Sequence, residues 1–302
     1  MTTDGELPIP YGRRVHLPGR GTTFVREIDG PPGAPTVILV HGWIASGGLN
    51  WFTTMPALAQ HFRIVAPDLR GHGRGIRSRR RFRLADCADD IAALAAVLKI
   101  DHAIVVGYSL GGPVAQLVWR RHPDLVDGLV LAATGDCFVD RTRDRVVFTS
   151  MMLAAAGLAG GAGYALGVPR VGERFARVTR DRGRARTIER WALDEMRRHD
   201  WRTVFSAGRA LGSYDARAWI GTMDVPTAVL VTMGDSALPP AGQLAFAGRI
   251  PGASVHPVEG GHTICASTAF AVPLVQACRS VAGRVAGHLP VVVSGRAAPG
   301  RG

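Results

Sequence analysis

The 302-residue chain has almost no lysine: Lys99 stands alone among 36 basic residues, so 36 − 1 leaves 35 arginines. No GxxxxGK[ST] phosphate loop can be written, and lysine Schiff-base chemistry has one candidate, at a helix end. The four cysteines, Cys87, Cys137, Cys265 and Cys278, lie far apart without a CxxC pair, which excludes a zinc ribbon or a disulfide framework. The ten histidines form no HExxH or similar close pair, so no metal site is expected. Residues 1–10 have Asp4, Glu6 and prolines where a secretory leader has basic residues and then an apolar run. The expectation is a reduced, cytoplasmic protein. Hydrophobic residues at 47% and charged residues at 20% exclude wholesale disorder.

What is present is an alternation of short β-branched runs and helical stretches. Thr36–Val40, Arg63–Pro67, Ala103–Gly107, Gly128–Ala132 and Thr227–Val231 read as strands buried on both faces. Phe52–His61, Leu84–Leu98 and Leu110–Arg121 read as helices between them. Asp86, Asp89 and Asp90 place negative charge at the start of the second helix. Short connections between such units predict a mostly parallel sheet covered on both faces. Arg13–Leu17 and Thr22–Ile28 predict an antiparallel edge hairpin.

The rhythm breaks between Gly135 and about Gly221, a segment rich in Arg and Gly, then resumes. A helical excursion between two strands of one sheet predicts a cap. Within it, Val146–Pro169 is a stretch of 24 uncharged residues. Its length suits a membrane span. However, five glycines weaken the helix, and a crossing would put strands of one sheet on opposite sides of a bilayer. A lipophilic cap over an apolar pocket is the favoured reading, and a monotopic surface contact is the alternative.

The run Ala103–Gly107 leads into Gly107-Tyr108-Ser109-Leu110-Gly111-Gly112. Small residues flanking a serine let it leave a strand and enter a helix in a turn that exposes its hydroxyl. The helix that follows aims its first amides at the same place. A serine needs a base to take its proton and an acid to orient that base. His262 follows Ser254–Val258, and Asp235 follows Thr227–Thr232, so both sit at the carboxyl ends of predicted strands. Asp136 is the competing acid, from a neighbouring rim position. Asp224 precedes its strand, and His256 lies within one. The backbone amides of Leu110 and of Trp43, in His41-Gly42-Trp43, are the candidate oxyanion donors. The His41 side chain is expected to brace its loop.

Together, His41-Gly42-Trp43, Asp68-Leu-Arg-Gly-His-Gly73, Gly107-Tyr-Ser-Leu-Gly-Gly112, Asp235 and Gly261-His262 resemble the α/β-hydrolase fold superfamily. The resemblance runs from about Thr22 to Cys278 without the cap. It implies an α/β-hydrolase fold: eight strands, a mostly parallel central sheet flanked by helices, a helical cap insertion and no cofactor. The expected organisation is a core of 1–135 with 221–288, a cap of 136–220, and a disordered tail of 289–302. The resemblance makes Asp68–Gly73 a structural loop. Ser109 argues against the epoxide hydrolase and haloalkane dehalogenase branches, which need aspartate there. In one departure, small Ser236 follows Asp235 where an Arg or His is usual.

The expected activity is therefore hydrolysis of a lipophilic, small-molecule acyl ester by Ser109, Asp235 and His262. A cofactor-free perhydrolase, an acyltransferase and a non-catalytic scaffold remain as alternatives. The formal charge of +12 is concentrated in two runs, Arg70–Arg83 and Arg177–Arg190. Solvated arginine is the simplest account. Attraction to anionic membranes or acidic substrates is the functional one, with peripheral membrane association as its consequence. Nucleic acid is not expected, because aromatics do not interleave with the arginines.

Overall fold

The computed structural model describes residues 10–139, 142–165 and 188–288. The residues before Pro10, the 289–302 tail, the end of the uncharged stretch after Ala165 and Arg177–Arg186 lie outside the described residues.

Each predicted strand forms: β1 Gly12–Leu17, β2 Gly21–Ile28, β3 Thr36–Val40, β4 Arg63–Pro67, β5 Ala103–Tyr108, β6 Val126–Ala132, β7 Thr227–Thr232 and β8 Ser254–Val258. They build one sheet in the order β1-β2-β4-β3-β5-β6-β7-β8. The first two pairings are antiparallel and the rest parallel. The chain moves outward from β3 to β4, then returns past it to β5. The carboxyl ends of β3 and β5 therefore flank a topological switch point, where open α/β sheets leave a crevice.

Alternation along the strands feeds two cores. Ile38, Val40, Val105, Leu129 and Val231 face one side, packed with Ile91 and Leu94 of α3 (Leu84–Val97) and Val114 and Val118 of α4 (Gly111–Arg121). Val37, Leu39, Val106, Val130 and Leu230 face the other, packed with Trp51, Met55 and Leu58 and with Leu274, Ala277 and Val281. Full burial of an aliphatic side chain contributes about 1.5–3 kcal/mol, so two-sided burial holds these strands.

One helix differs from expectation. The predicted Phe52–His61 is two short helices, α1 Gly47–Trp51 and α2 Met55–Leu58. The Ser46 hydroxyl accepts from the Leu49 amide and starts the first helix early, while Pro56 opens the second. The role expected for the acidic start of α3 also shifts. Asp90 is buried and accepts from Arg20 Nε (2.6 Å) and Arg70 Nε (2.8 Å), while Asp89 pairs with Arg121.

Between β6 and β7 the chain leaves the sheet for α5 (Thr142–Ala165), α6 (Ile188–Met196) and α7 (Trp201–Gly212). An isolated bridge, Cys137 to Asp215, and an Ala216 amide bond to the Asp136 carbonyl (2.7 Å) join the two ends of this excursion. The helices α8 (Pro240–Ala247) and α9 (Ala271–His288) complete the layers.

Candidate active site

Ser109 stands just past β5 with φ +51°, in the left-handed region that costs an ordinary residue about 1–2 kcal/mol. Its surroundings enforce the turn. A side chain at Gly107 would strike the Gly111 carbonyl, one at Gly111 the Val40 carbonyl, and one at Gly112 the Thr134 side chain. The Ser109 amide donates to Ala132 O (3.0 Å), and Ser109 O accepts from Gly112 N (2.8 Å) and the Thr134 hydroxyl (2.9 Å). The backbone is locked on three sides.

The structure brings the three predicted side chains together. Ser109 Oγ lies 2.9 Å from His262 Nε2, and His262 Nδ1 lies 2.7 Å from Asp235 Oδ2. With Asp235 ionised, Nδ1 carries the ring proton and Nε2 accepts from the serine hydroxyl. Burial would raise the Asp235 carboxyl. The Leu238 amide, the His262 ring and the Thr232 hydroxyl outweigh that effect and hold it below its ordinary range. The carboxylate is densely bonded: Oδ1 accepts from Ala237 N and Leu238 N (2.9 Å each), and Oδ2 from Thr232 Oγ1 (2.8 Å).

The acid and histidine loops are tied to each other. Met233 N donates to Val258 O and Gly234 N to Gly260 O, both at 2.9 Å. Gly260 has φ +141°, a conformation glycine alone adopts readily, and it turns the chain into His262.

The His41-Gly42-Trp43 loop runs beside the serine. A Cβ on Gly42 would sit 3.3 Å from Ser109 Cβ, a tight contact that a larger residue would relieve only by shifting the loop or the serine. The Gly42 amide donates to Asn50 Oδ1 (2.9 Å), and the Trp43 indole donates to Val204 O of α7 (2.7 Å). Leu110 opens α4 and is fully buried. His41 has both nitrogens engaged: Nδ1 donates to Gly42 O (2.8 Å) and Nε2 accepts from Leu69 N (2.9 Å). Burial lowers its pKa to about 3, so it stays neutral and braces the loop.

The competing candidates are engaged elsewhere. Asp136 pairs with Arg249 Nη1 (2.8 Å), Asp224 accepts from the Trp119 indole (3.0 Å), and His256 lies against Ser254 Oγ (3.1 Å). The Asp68–Gly73 segment is structural. Asp68 Oδ1 accepts from Gly47 N and Oδ2 from Arg74 N, each at 2.8 Å. Among the described residues, no group of three or more His, Cys, Asp or Glu side chains is arranged to hold a metal ion.

Three supporting groups escaped sequence reasoning. The Tyr108 hydroxyl donates to His262 O (2.7 Å), and Gln243 Nε2 donates to Thr232 Oγ1 (2.8 Å) and Leu238 O (2.7 Å). Glu195 of α6 is fully buried among Arg74 (2.7 Å), Arg198 (3.1 Å) and Arg26 (3.6 Å), and it accepts from Ser46 Oγ (3.1 Å). The arginine charges hold its carboxyl low against the opposing effect of burial. Position within the glycine-serine motif could have flagged Tyr108. Nothing local marks Gln243 or Glu195.

Comparison with known proteins agrees with this architecture. The model of the alpha/beta hydrolase fold matches residues 35–267. Pimeloyl-[acyl-carrier protein] methyl ester esterase of Nitrosospira multiformis is 34% identical over 109 residues, 35% of this chain and 41% of that enzyme. Epoxide hydrolase B of Mycobacterium tuberculosis is 35% identical over 116 residues, 37% of this chain and 32% of that enzyme. The chain thus spans less than half the length of these curated relatives. A solved hydrolase from Pseudomonas aeruginosa PA01 superposes with a TM-score of 0.67 at 22% identity, covering 88% of this chain and 97% of that one, which speaks for the fold. With the family model spanning most of its length and the sheet wound in the expected order, the chain belongs to the alpha/beta hydrolase fold family.

Proposed function

We propose that the chain is a serine hydrolase that cleaves a carboxylic ester or related acyl bond through an acyl-enzyme. The observation that carries the reading is the hydrogen-bonded relay from Ser109 Oγ through His262 to Asp235, at 2.9 and 2.7 Å. Ser109 Oγ attacks the acyl carbon while His262 Nε2 takes its proton. The carbonyl oxygen becomes an oxyanion received by the Trp43 and Leu110 amides. His262 returns the proton to the departing alcohol, then takes one from the water that frees the acid. Asp235 keeps the imidazole in the productive tautomer and stabilises its charged form.

The α5–α7 excursion serves as the cap, within the 136–220 boundaries expected from the sequence. Support comes from α7 and α5 lying against the loop beside Ser109: the Trp43 ring and Met152 Sδ crowd the space above Gly208. These apolar contacts favour a lipophilic small-molecule substrate. Such substrates partition into bilayers, so the reading extends to peripheral contact with an anionic membrane. A perhydrolase or acyltransferase would use the same relay with peroxide or an alcohol in place of water. One observation favours a second reading, a non-catalytic scaffold: Ser109 is only 6% exposed.

Labelling with a fluorophosphonate tests the choice, with Ser109→Ala beside the parent and the modified peptide identified by mass. Label on Ser109 that vanishes in the variant, with hydrolysis of p-nitrophenyl esters down by several orders of magnitude, supports the hydrolase. A folded protein that takes no label and turns over no ester, with or without detergent, supports the scaffold. Asp235→Asn is expected to abolish turnover and Asp136→Asn to leave it; the reverse outcome would move the acid.

A further inference from the structure

The outward half of α5 carries no charge from Val146 to Leu158. Met152 and Ala156 point inward and are buried, while Val147 (61%), Met151 (55%), Leu153 (58%) and Leu158 (76%) are exposed to water. One edge of this apolar face borders a cavity of about 320 Å³ whose wall includes Leu153 itself. The rest of that wall is Phe82, Ser206 and three arginines, Arg81, Arg202 and Arg209. Among the described residues, none that lines the cavity is acidic. Arg202 and Arg209 come from α7, on the side turned away from Gly208 and the Trp43 ring, so the cavity is separate from Ser109.

Arg202 Nη2 donates to Ser78 O (2.8 Å) and lies 4.0 Å from Asp200 Oδ2, which offsets part of its charge. The remaining positive surplus of the three guanidinium groups attracts an anion. A wide apolar helix face beside them pairs that anion with hydrocarbon. An anionic amphiphile in a bilayer offers both features, with the charge at the headgroup and the apolar region just beneath it. No helix among the described residues is long and apolar enough to cross a membrane, so the contact is peripheral. We propose that α5 docks on an anionic lipid surface, with Val147, Met151 and Leu158 entering the acyl boundary and Arg81, Arg202 and Arg209 receiving headgroup anions. The proposal deepens the membrane contact in the preceding reading and is independent of the chemistry at Ser109.

Vesicle sedimentation tests it, with phosphatidylcholine vesicles compared with vesicles containing about one-third phosphatidylglycerol. The parent protein and Ser109→Ala are expected to sediment alike, with the anionic vesicles only, and to be released by high salt. Each arginine near an anionic surface contributes about fivefold to partitioning, so Arg81→Gln with Arg209→Gln lowers it about thirtyfold. Met151→Glu with Leu158→Glu is expected to abolish it, and circular dichroism checks that these variants are folded. Equal sedimentation with neutral vesicles, none with either, or parent-like binding by the arginine variant overturns the proposal. So does a concentration-dependent dimer that Met151→Glu dissociates, because a second copy would then be the occupant. Loss of fluorophosphonate labelling at Ser109 leaves vesicle binding untouched, so the two readings fail separately.

Discussion

Acid should unfold this protein through three histidines that meet below the proposed cap. The rings of His41, His72 and His199 meet in series, the first pair tilted and the second edge-on, with centroids 5.4 and 5.6 Å apart. Burial lowers His41 to about 3 and His199 to about 4, and puts His72 well below its ordinary value. Each is neutral in the folded chain, whereas the unfolded chain binds a proton at each below about pH 6.5. The unfolded state therefore holds more protons as pH falls, and the histidines' contribution to stability is complete above pH 6.5 and lost on acidification towards their folded values. At pH 5 His41 and His199 each favour unfolding by about 2 kcal/mol relative to pH 8. With His72 the slope approaches about 4 kcal/mol per pH unit, against a total stability of roughly 5–15 kcal/mol. Asp68 opposes this at the lower end, since burial raises its carboxyl and the folded state takes up that proton first.

Urea titrations followed by tryptophan fluorescence between pH 8 and 5 measure the slope. His199→Asn isolates one site, because an amide oxygen can replace Nδ1 as acceptor for the Gly73 N–H (2.8 Å) without titrating. That variant should flatten the dependence by one proton, about 1.4 kcal/mol per pH unit. A parent slope below one proton between pH 6 and 5, or an unchanged slope in His199→Asn, would refute the reasoning.

Two further substitutions probe the supports of the site. Glu195→Ala leaves Arg26 and Arg74 facing a vacated carboxylate and should cost about 3–5 kcal/mol in urea titrations. A loss under about 1 kcal/mol would mean that water relieves those charges. Tyr108→Phe removes the hydroxyl that holds His262 O. It should lower kcat about five- to tenfold with little change in KM, and unchanged kcat would show that Gly260 and the Asp235 bond position the ring unaided.

Local patterning made most of the fold legible. The runs at Thr36–Val40 and Ala103–Gly107 are apolar on both faces because the strands they form are covered on both faces. The serine turn was legible because its glycines answer steric demands only a few residues away, at Gly111 O and Val40 O. The start of α1 was not, since helical periodicity continues through Trp51 and Phe52 while the Ser46 cap and Pro56 decide the boundaries. Nor was the fate of the arginine run. Arg70 and Arg74 looked solvated, yet they are paired with Asp90 and with Glu195, a residue brought in from another helix by the topology. Glu195 itself reads as one acid in a charged helix, 149 residues from the Ser46 hydroxyl it accepts from.

Those distant partners converge on one short segment. His41 ties its start to Leu69 N, Asp68 Oδ1 holds the Gly47 amide, and Glu195 Oε2 takes the Ser46 hydroxyl. Trp43, the proposed second oxyanion donor, lies between these anchors, and Ile44 beside it is held at φ +57°. A left-handed isoleucine costs about 1–2 kcal/mol and persists only where its neighbours over-determine it. The anchors depend on protonation: His41 must be neutral to accept from Leu69 N, and ionised Glu195 is what balances the Arg26, Arg74 and Arg198 charges. Replacing those arginines by lysine would give up planar guanidinium groups that can share one carboxylate. It follows that stability and the proposed turnover should fall along one acid limb, because the groups that titrate are the ones that hold the Trp43 loop against Ser109.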